Sequence, residues 1–160
     1  MEFQELFNMQ AQLDSFIQQN QHIDRDVFLE KGLALTIELA ELANETRCFK
    51  YWSTKGPSER EVLLEEFVDS IHFLLSLGNE KGYRLNAWPE MKKKENLTTW
   101  FLKTQEAILS FIHDPSEDHY LKVWEYYSVL AYNLGFTLDD IIQAYIEKNE
   151  KNYERQRNGY

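Results

Sequence analysis

A single cysteine, Cys48, stands in the whole chain, so neither an intrachain disulfide nor a thiolate-rich metal site can form. Glycine and proline are also scarce, at 6 and 3 of 160 residues, which leaves few places to punctuate many short strands and favours long helices. No apolar run approaches the ~20 residues needed to cross a bilayer. The opening MEFQELFNMQ lacks the basic-then-apolar layout of a secretory signal. Positive charge is in deficit too. A net charge of −10 argues against general binding to nucleic acid or to an anionic membrane surface. These absences together lead us to expect a cytoplasmic protein.

What is present is a core. Hydrophobic residues make up 43% of the chain and aromatics 14%, enough to exclude disorder and to fill one domain of this length, residues 1–160. Phe3, Leu6, Phe7, Gln10, Leu13, Phe16 and Ile17 recur at helical spacing and predict a helix from about Glu2 to Asn20. Asp24 is the expected N-cap of a second helix reaching about Trp52. STKGPS, Ser53 to Ser58, reads as a turn, with Ser58 and Glu61 forming a capping box for a third helix that ends near Gly78. Gly78 to Asn96 reads as a mobile connection. Three more helices are expected: Leu97 to Ile112, one through Leu121, Trp124, Tyr127 and Leu130, and one capped by Thr137 and Asp140. The fold class is all-α, a bundle of about six helices.

The chemistry lies in the acids. Glu38 and Glu41 are separated by three residues, as are Glu66 and Asp69, so each pair shares a helix face. The centres of the two pairs average to about position 53 or 54, where the turn begins, so an antiparallel hairpin would set them opposite each other. Four facing carboxylates cannot all stay charged without a counterion. Hard divalent cations with oxygen ligands, Mg²⁺ above all, solve that problem and can also hold a phosphate and activate water. The bland alternative is a solvated acidic face. Apolar neighbours (Leu35, Ile37, Leu39, Leu42, Phe67, Val68, Ile71) leave little room for one. Near the other end, Lys148, Asn152 and Arg155 fall on one helical face and offer a Lys, an amide and an Arg to a polyphosphate. The bland reading there is a solvated terminal helix.

IELAELANETRCFKYWS, EEFVDSIHFLLSLG, the LGFT turn and YIEKNEKNYERQRNGY, in that order, resemble the blocks of the dimeric all-α dUTPase family within the MazG-like superfamily. The resemblance covers most of the chain outside residues 82–119. It implies Mg²⁺-dependent hydrolysis of dUTP, and of dUDP, to dUMP by a homodimer, with Mn²⁺ able to substitute. It assigns Glu38, Glu41, Glu66 and Asp69 to metal binding and catalysis, with Glu41 or a neighbouring carboxylate activating the water. Lys148, Asn152 and Arg155 match phosphate-binding positions, and Asn149 and Gln10 match candidate base contacts. His72 and Phe73 would meet the deoxyribose, Phe73 closing off a 2′-hydroxyl. Trp52 could stack on the pyrimidine, and Lys50 and Lys55 could reach phosphates. Three other readings stand beside this one: a MazG-like pyrophosphatase of wider specificity, a ferritin-like di-metal protein using Asp69 and His72, and a non-catalytic helical module. The N-terminal helix is the expected dimer interface.

Overall fold

Apolar residues spaced three and four apart recur through six stretches, and each folds as a helix. The computed structural model describes residues 1–160: α1 (Glu5–Asn20), α2 (Phe28–Thr46), α3 (Arg60–Lys81), α4 (Leu97–His113), α5 (Glu117–Leu134) and α6 (Leu138–Arg157). There is no strand. The all-α expectation holds, and so does the Thr137–Asp140 capping box, in which each side chain accepts from the other's backbone N–H.

Several boundaries differ from the sequence reading. α2 begins after Val27, where the Asp26 carboxylate, not Asp24, accepts from the Phe28 N–H at 2.9 Å. It stops at Thr46 because Arg47 takes a left-handed backbone, φ 59°, and turns the chain. The Arg47 guanidinium then donates to the Ser53 hydroxyl at 2.9 Å, tying the turn down. Ser58 does not form a capping box with Glu61. Its hydroxyl donates instead to the Glu45 carboxylate, and its backbone N–H donates to the Glu45 carbonyl, so the serine fastens the end of α2 to the start of α3.

α3 continues past Gly78 to Lys81. The glycine is required there because a Cβ would collide with the Tyr120 hydroxyl and sit 2.6 Å from the Tyr83 carbonyl oxygen. Tyr120 reaches across that gap to donate to the Leu74 carbonyl at 2.7 Å. The expected mobile connection is pinned over residues 83–96. Trp88 meets Phe3 and Trp124 edge-on, Met91 N–H donates to Ser128 Oγ at 3.0 Å, and Asn133 bonds the backbone of Lys93 and Glu95.

α2 and α3 form an antiparallel hairpin, α4 and α5 form a second, and α6 and α1 both lie against α3. One continuous cluster of 31 buried apolar residues runs from Phe3 to Tyr145, so all six helices share one core. Its largest fully buried members are Trp124, Tyr120, Tyr127, Tyr145, Phe7, Phe67 and Phe111. The apolar face of α1 is spent inward, on Leu6, Phe7 and Leu13. Exposed apolar residues lie elsewhere, among them Leu29, Leu33 and Ile37 in a row on α2, and Leu102 and Leu109 on α4 beside it. No helix is long and apolar enough to cross a membrane.

Candidate active site

Because α2 and α3 pack antiparallel about the 47–59 turn, the two acid pairs arrive at one level. Glu38, Glu66 and Asp69 each bring a carboxylate oxygen within 4.8 Å of the other two. Glu41 lies outside that triad, on the exposed rim, close enough for its charge to act on both Glu38 and Glu66. Burial first, and then the neighbouring acids, push the carboxyls of Glu38 and Glu66 up to about 7. Asp69 is also raised, by burial, against the opposing pull of the Lys148 ammonium. The third acid of the α2 row, Glu45, is taken by Ser58.

Two oxygens in this cluster, Glu38 Oε2 and Glu66 Oε2, are buried and make no hydrogen bond. A buried carboxylate oxygen without a donor is costly. Hard oxygen donors, tightly grouped and with spare lone pairs, are what Mg²⁺ or Mn²⁺ takes as ligands. The residues present therefore fit a divalent cation. No histidine belongs to the group. His72, one turn beyond Asp69, instead stacks flat on Tyr145 at 4.3 Å, which removes the Asp-x-x-His pair a ferritin-like site would need.

Beside the carboxylates a cavity of about 350 Å³ opens between α1, α3 and α6. Glu38 and Asp69 form its acidic end. Lys148, Asn152 and Arg155 line the α6 wall, and His72 and Phe73 line the α3 wall. His72 is 6% exposed, both ring nitrogens lack partners, and burial drives its pKa down to about 3, so the ring is neutral. Gln10 also faces the cavity, held at both ends of its amide: Tyr145 donates to Oε1 at 2.8 Å, and Nε2 donates to Asp14 at 2.9 Å.

Other expected positions lie apart from it. Asn149 sits behind the cavity wall, its amide donating to the Tyr145 hydroxyl at 3.4 Å. Trp52, 65% exposed, packs edge-on against Phe49 and Tyr51, Lys50 lies over Phe49, and Lys55 is exposed. None of the three lines the cavity, because the Arg47 turn carries them away from it.

Sequence reasoning missed Asp14, Lys31, Ser76 and Tyr160, all on the wall. Asp14 was discoverable, since Gln10, Leu13, Asp14 and Ile17 share a face of α1 that had been read only as core. Lys31 pairs with Glu80 at 2.7 Å. Tyr160 returns over Arg155, its ring 5.3 Å from the guanidinium. Neither carries a local sequence signal.

An all-α bundle that turns acids from one helical hairpin toward the cationic face of a neighbouring helix suits the chemistry of a phosphoanhydride hydrolase. The family model described as dUTPase matches residues 2–160, and the chain belongs to that all-α dUTPase family. It is a dUTP diphosphatase, and dUTPases are generally dependent on divalent metal. Comparison with curated proteins gave no match.

Proposed function

We propose that the chain, acting as one domain over residues 1–160, hydrolyses dUTP and dUDP to dUMP with Mg²⁺, releasing pyrophosphate or phosphate respectively. Mn²⁺ can stand in for Mg²⁺. The observation that carries this is the pair of buried, partnerless oxygens on Glu38 and Glu66 beside Asp69. Glu38, Glu41, Glu66 and Asp69 hold the cation. Bound there, a divalent ion offsets phosphate charge and acidifies water.

The chain's own residues do the rest. Lys148, Asn152 and Arg155 meet the phosphate oxygens from α6, where Arg supplies a fork of donors and Lys a point charge. Glu41, on the rim, orients the attacking water and takes its proton as the bond to phosphorus forms. The neutral His72 ring offers its unpartnered nitrogens to the deoxyribose, and Phe73 beside it leaves no space for a 2′-hydroxyl. The fixed amide of Gln10 presents its remaining hydrogen-bonding capacity to the base, while Asn149 steadies Tyr145 from behind. Trp52, Lys50 and Lys55 would serve only by contacting a nucleotide outside the cavity described above.

The partner is a second copy of the chain. Leu29, Leu33 and Ile37 form an exposed row on α2, and α4 runs antiparallel beside it, with Ile112 against Gly32 and Thr98 bonded to the Cys48 carbonyl. A homodimer through this α2–α4 face fits better than one through α1, whose apolar side is already covered. A cytoplasmic location suits an enzyme acting on the free nucleotide pool. Turnover of dUTP, dUDP, dCTP, dTTP and UTP, with and without Mg²⁺, tests the assignment. Comparable rates on all five, or rates indifferent to metal, would refute it.

A further inference from the structure

Lys148 enters the carboxylate site from α6 with its side chain only 9% exposed. Its ammonium lies 3.0 Å from Glu65 Oε1 and 3.1 Å from Asp69 Oδ1. An ammonium has three donors. Two are committed to these acids, which leaves one for the cavity that Lys148 lines. Glu65 and Asp69 are one turn apart on α3, and Lys148 bridges them. The two acids are not equivalent. Asp69 belongs to the triad with Glu38 and Glu66, whereas Glu65 stands outside both the triad and the cavity, 49% exposed.

An oxygen that already accepts from an ammonium is a weaker ligand for a second cation. How Lys148 divides its charge between Glu65 and Asp69 therefore bears on how freely Asp69 can ligate metal. We propose that Glu65 is a positioning residue: by sharing the Lys148 ammonium with Asp69, it draws part of that charge away from the Asp69 carboxylate, raises the site's affinity for a divalent cation and aims the remaining N–H at the nucleotide phosphates. This rests on the reading of Glu38, Glu66 and Asp69 as cation ligands. In the absence of Glu65, the ammonium has only Asp69 to settle on, so cation and lysine compete for one oxygen.

The test is direct binding of Mn²⁺ to the nucleotide-free protein, by calorimetry and by loss of the free-ion magnetic resonance signal. Six proteins are compared: the unaltered chain, E65Q, E65D, K148M, E65Q/K148M and E38Q. Glu65→Gln should weaken Mn²⁺ binding by about tenfold, the scale of outer-sphere partners. Lys148→Met should tighten it, because the competing charge is gone. In the Lys148→Met background, adding Glu65→Gln should change affinity by less than about twofold, since the two residues act through one contact. E65D, which keeps the charge on a shorter arm, should recover part of the loss.

An equal weakening by Glu65→Gln in both backgrounds would show that Glu65 acts only as a distant charge, and the proposal falls. Unchanged Mn²⁺ binding in E65Q would also sink it. E38Q separates this from the underlying reading. If E38Q binds Mn²⁺ normally, the cation site itself is misassigned. If E38Q loses the ion while E65Q keeps it, only the role of Glu65 is wrong.

Discussion

Two buried polar regions lie side by side in this bundle, and they are finished differently. Beside Tyr145 runs a closed chain of hydrogen bonds: Asn149 donates to the tyrosine hydroxyl, the hydroxyl to Gln10, Gln10 to Asp14, and Ser76 to Asp14 at 2.6 Å. This chain of bonds ties α6, α1 and α3 together. A few residues away, Glu38 and Glu66 each bury an oxygen that nothing satisfies, and burial, then the neighbouring acids, push their carboxyls up to about 7. A closed network sets shape, whereas an open one awaits a ligand. His72 sits on the border, its ring stacked on the closed region and its nitrogens unspent.

The largest effect should come from closing the open region. Glu38→Gln or Asp69→Asn should lower dUTP turnover by at least about a hundredfold, and metal titration should not restore it. Near-normal turnover at saturating Mg²⁺ would show that the orphan oxygens have no catalytic use. Breaking the finished region should do less. Tyr145→Phe removes one bond to the Gln10 amide and leaves another group underbonded, so unfolding stability should fall by about 1 kcal/mol. The KM for dUTP should rise more than kcat falls, because base and sugar contacts shift while the acids stay put. A loss confined to kcat would contradict the division drawn here.

A smaller effect is thermodynamic. Glu38 and Glu66 titrate near 7 when folded and near 4.5 in a solvated chain. Between those values the folded state holds more protons than the unfolded one, so these groups add stability at low pH and lose it as pH rises through about 7. The metal-free protein should therefore melt a few degrees lower at pH 8 than at pH 6 relative to E38Q/E66Q. Mg²⁺ should erase the difference, because a cation takes the place of the protons. A melting temperature whose pH dependence ignores Mg²⁺ would mean the two carboxyls meet no cation. The smallest effect concerns the outer surface. Leu33→Glu on α2 should leave the fold intact and shift sedimentation toward a single-chain species.

The meeting of Glu38, Glu66 and Asp69 was legible because hairpin register is arithmetic: residues equally far from a turn face each other, and the acids of each pair share a helix face; Glu41 nonetheless stays outside the triad. The Thr137–Asp140 cap was legible for a similar reason, since its partners are three residues apart. Ser58 looked equally local, yet Glu45 from the preceding helix outcompeted Glu61 for it. Gln10 could be suspected, but not that Asp14 and Tyr145 would orient its amide. Trp52 looked able to stack on the base, and a left-handed Arg47 sent it to the surface.

By itself the sequence determined the helices, their order and the level at which acids of α2 and α3 meet, because periodicity and short-range caps act along the chain. Only the packing of α1 and α6 onto α3 decided which polar groups found partners. Hydrogen bonds between helices such as Tyr145 to Gln10, 135 residues apart, depend on which surfaces the apolar core brings together. That same closure left Glu38 and Glu66 each with a buried oxygen lacking a donor.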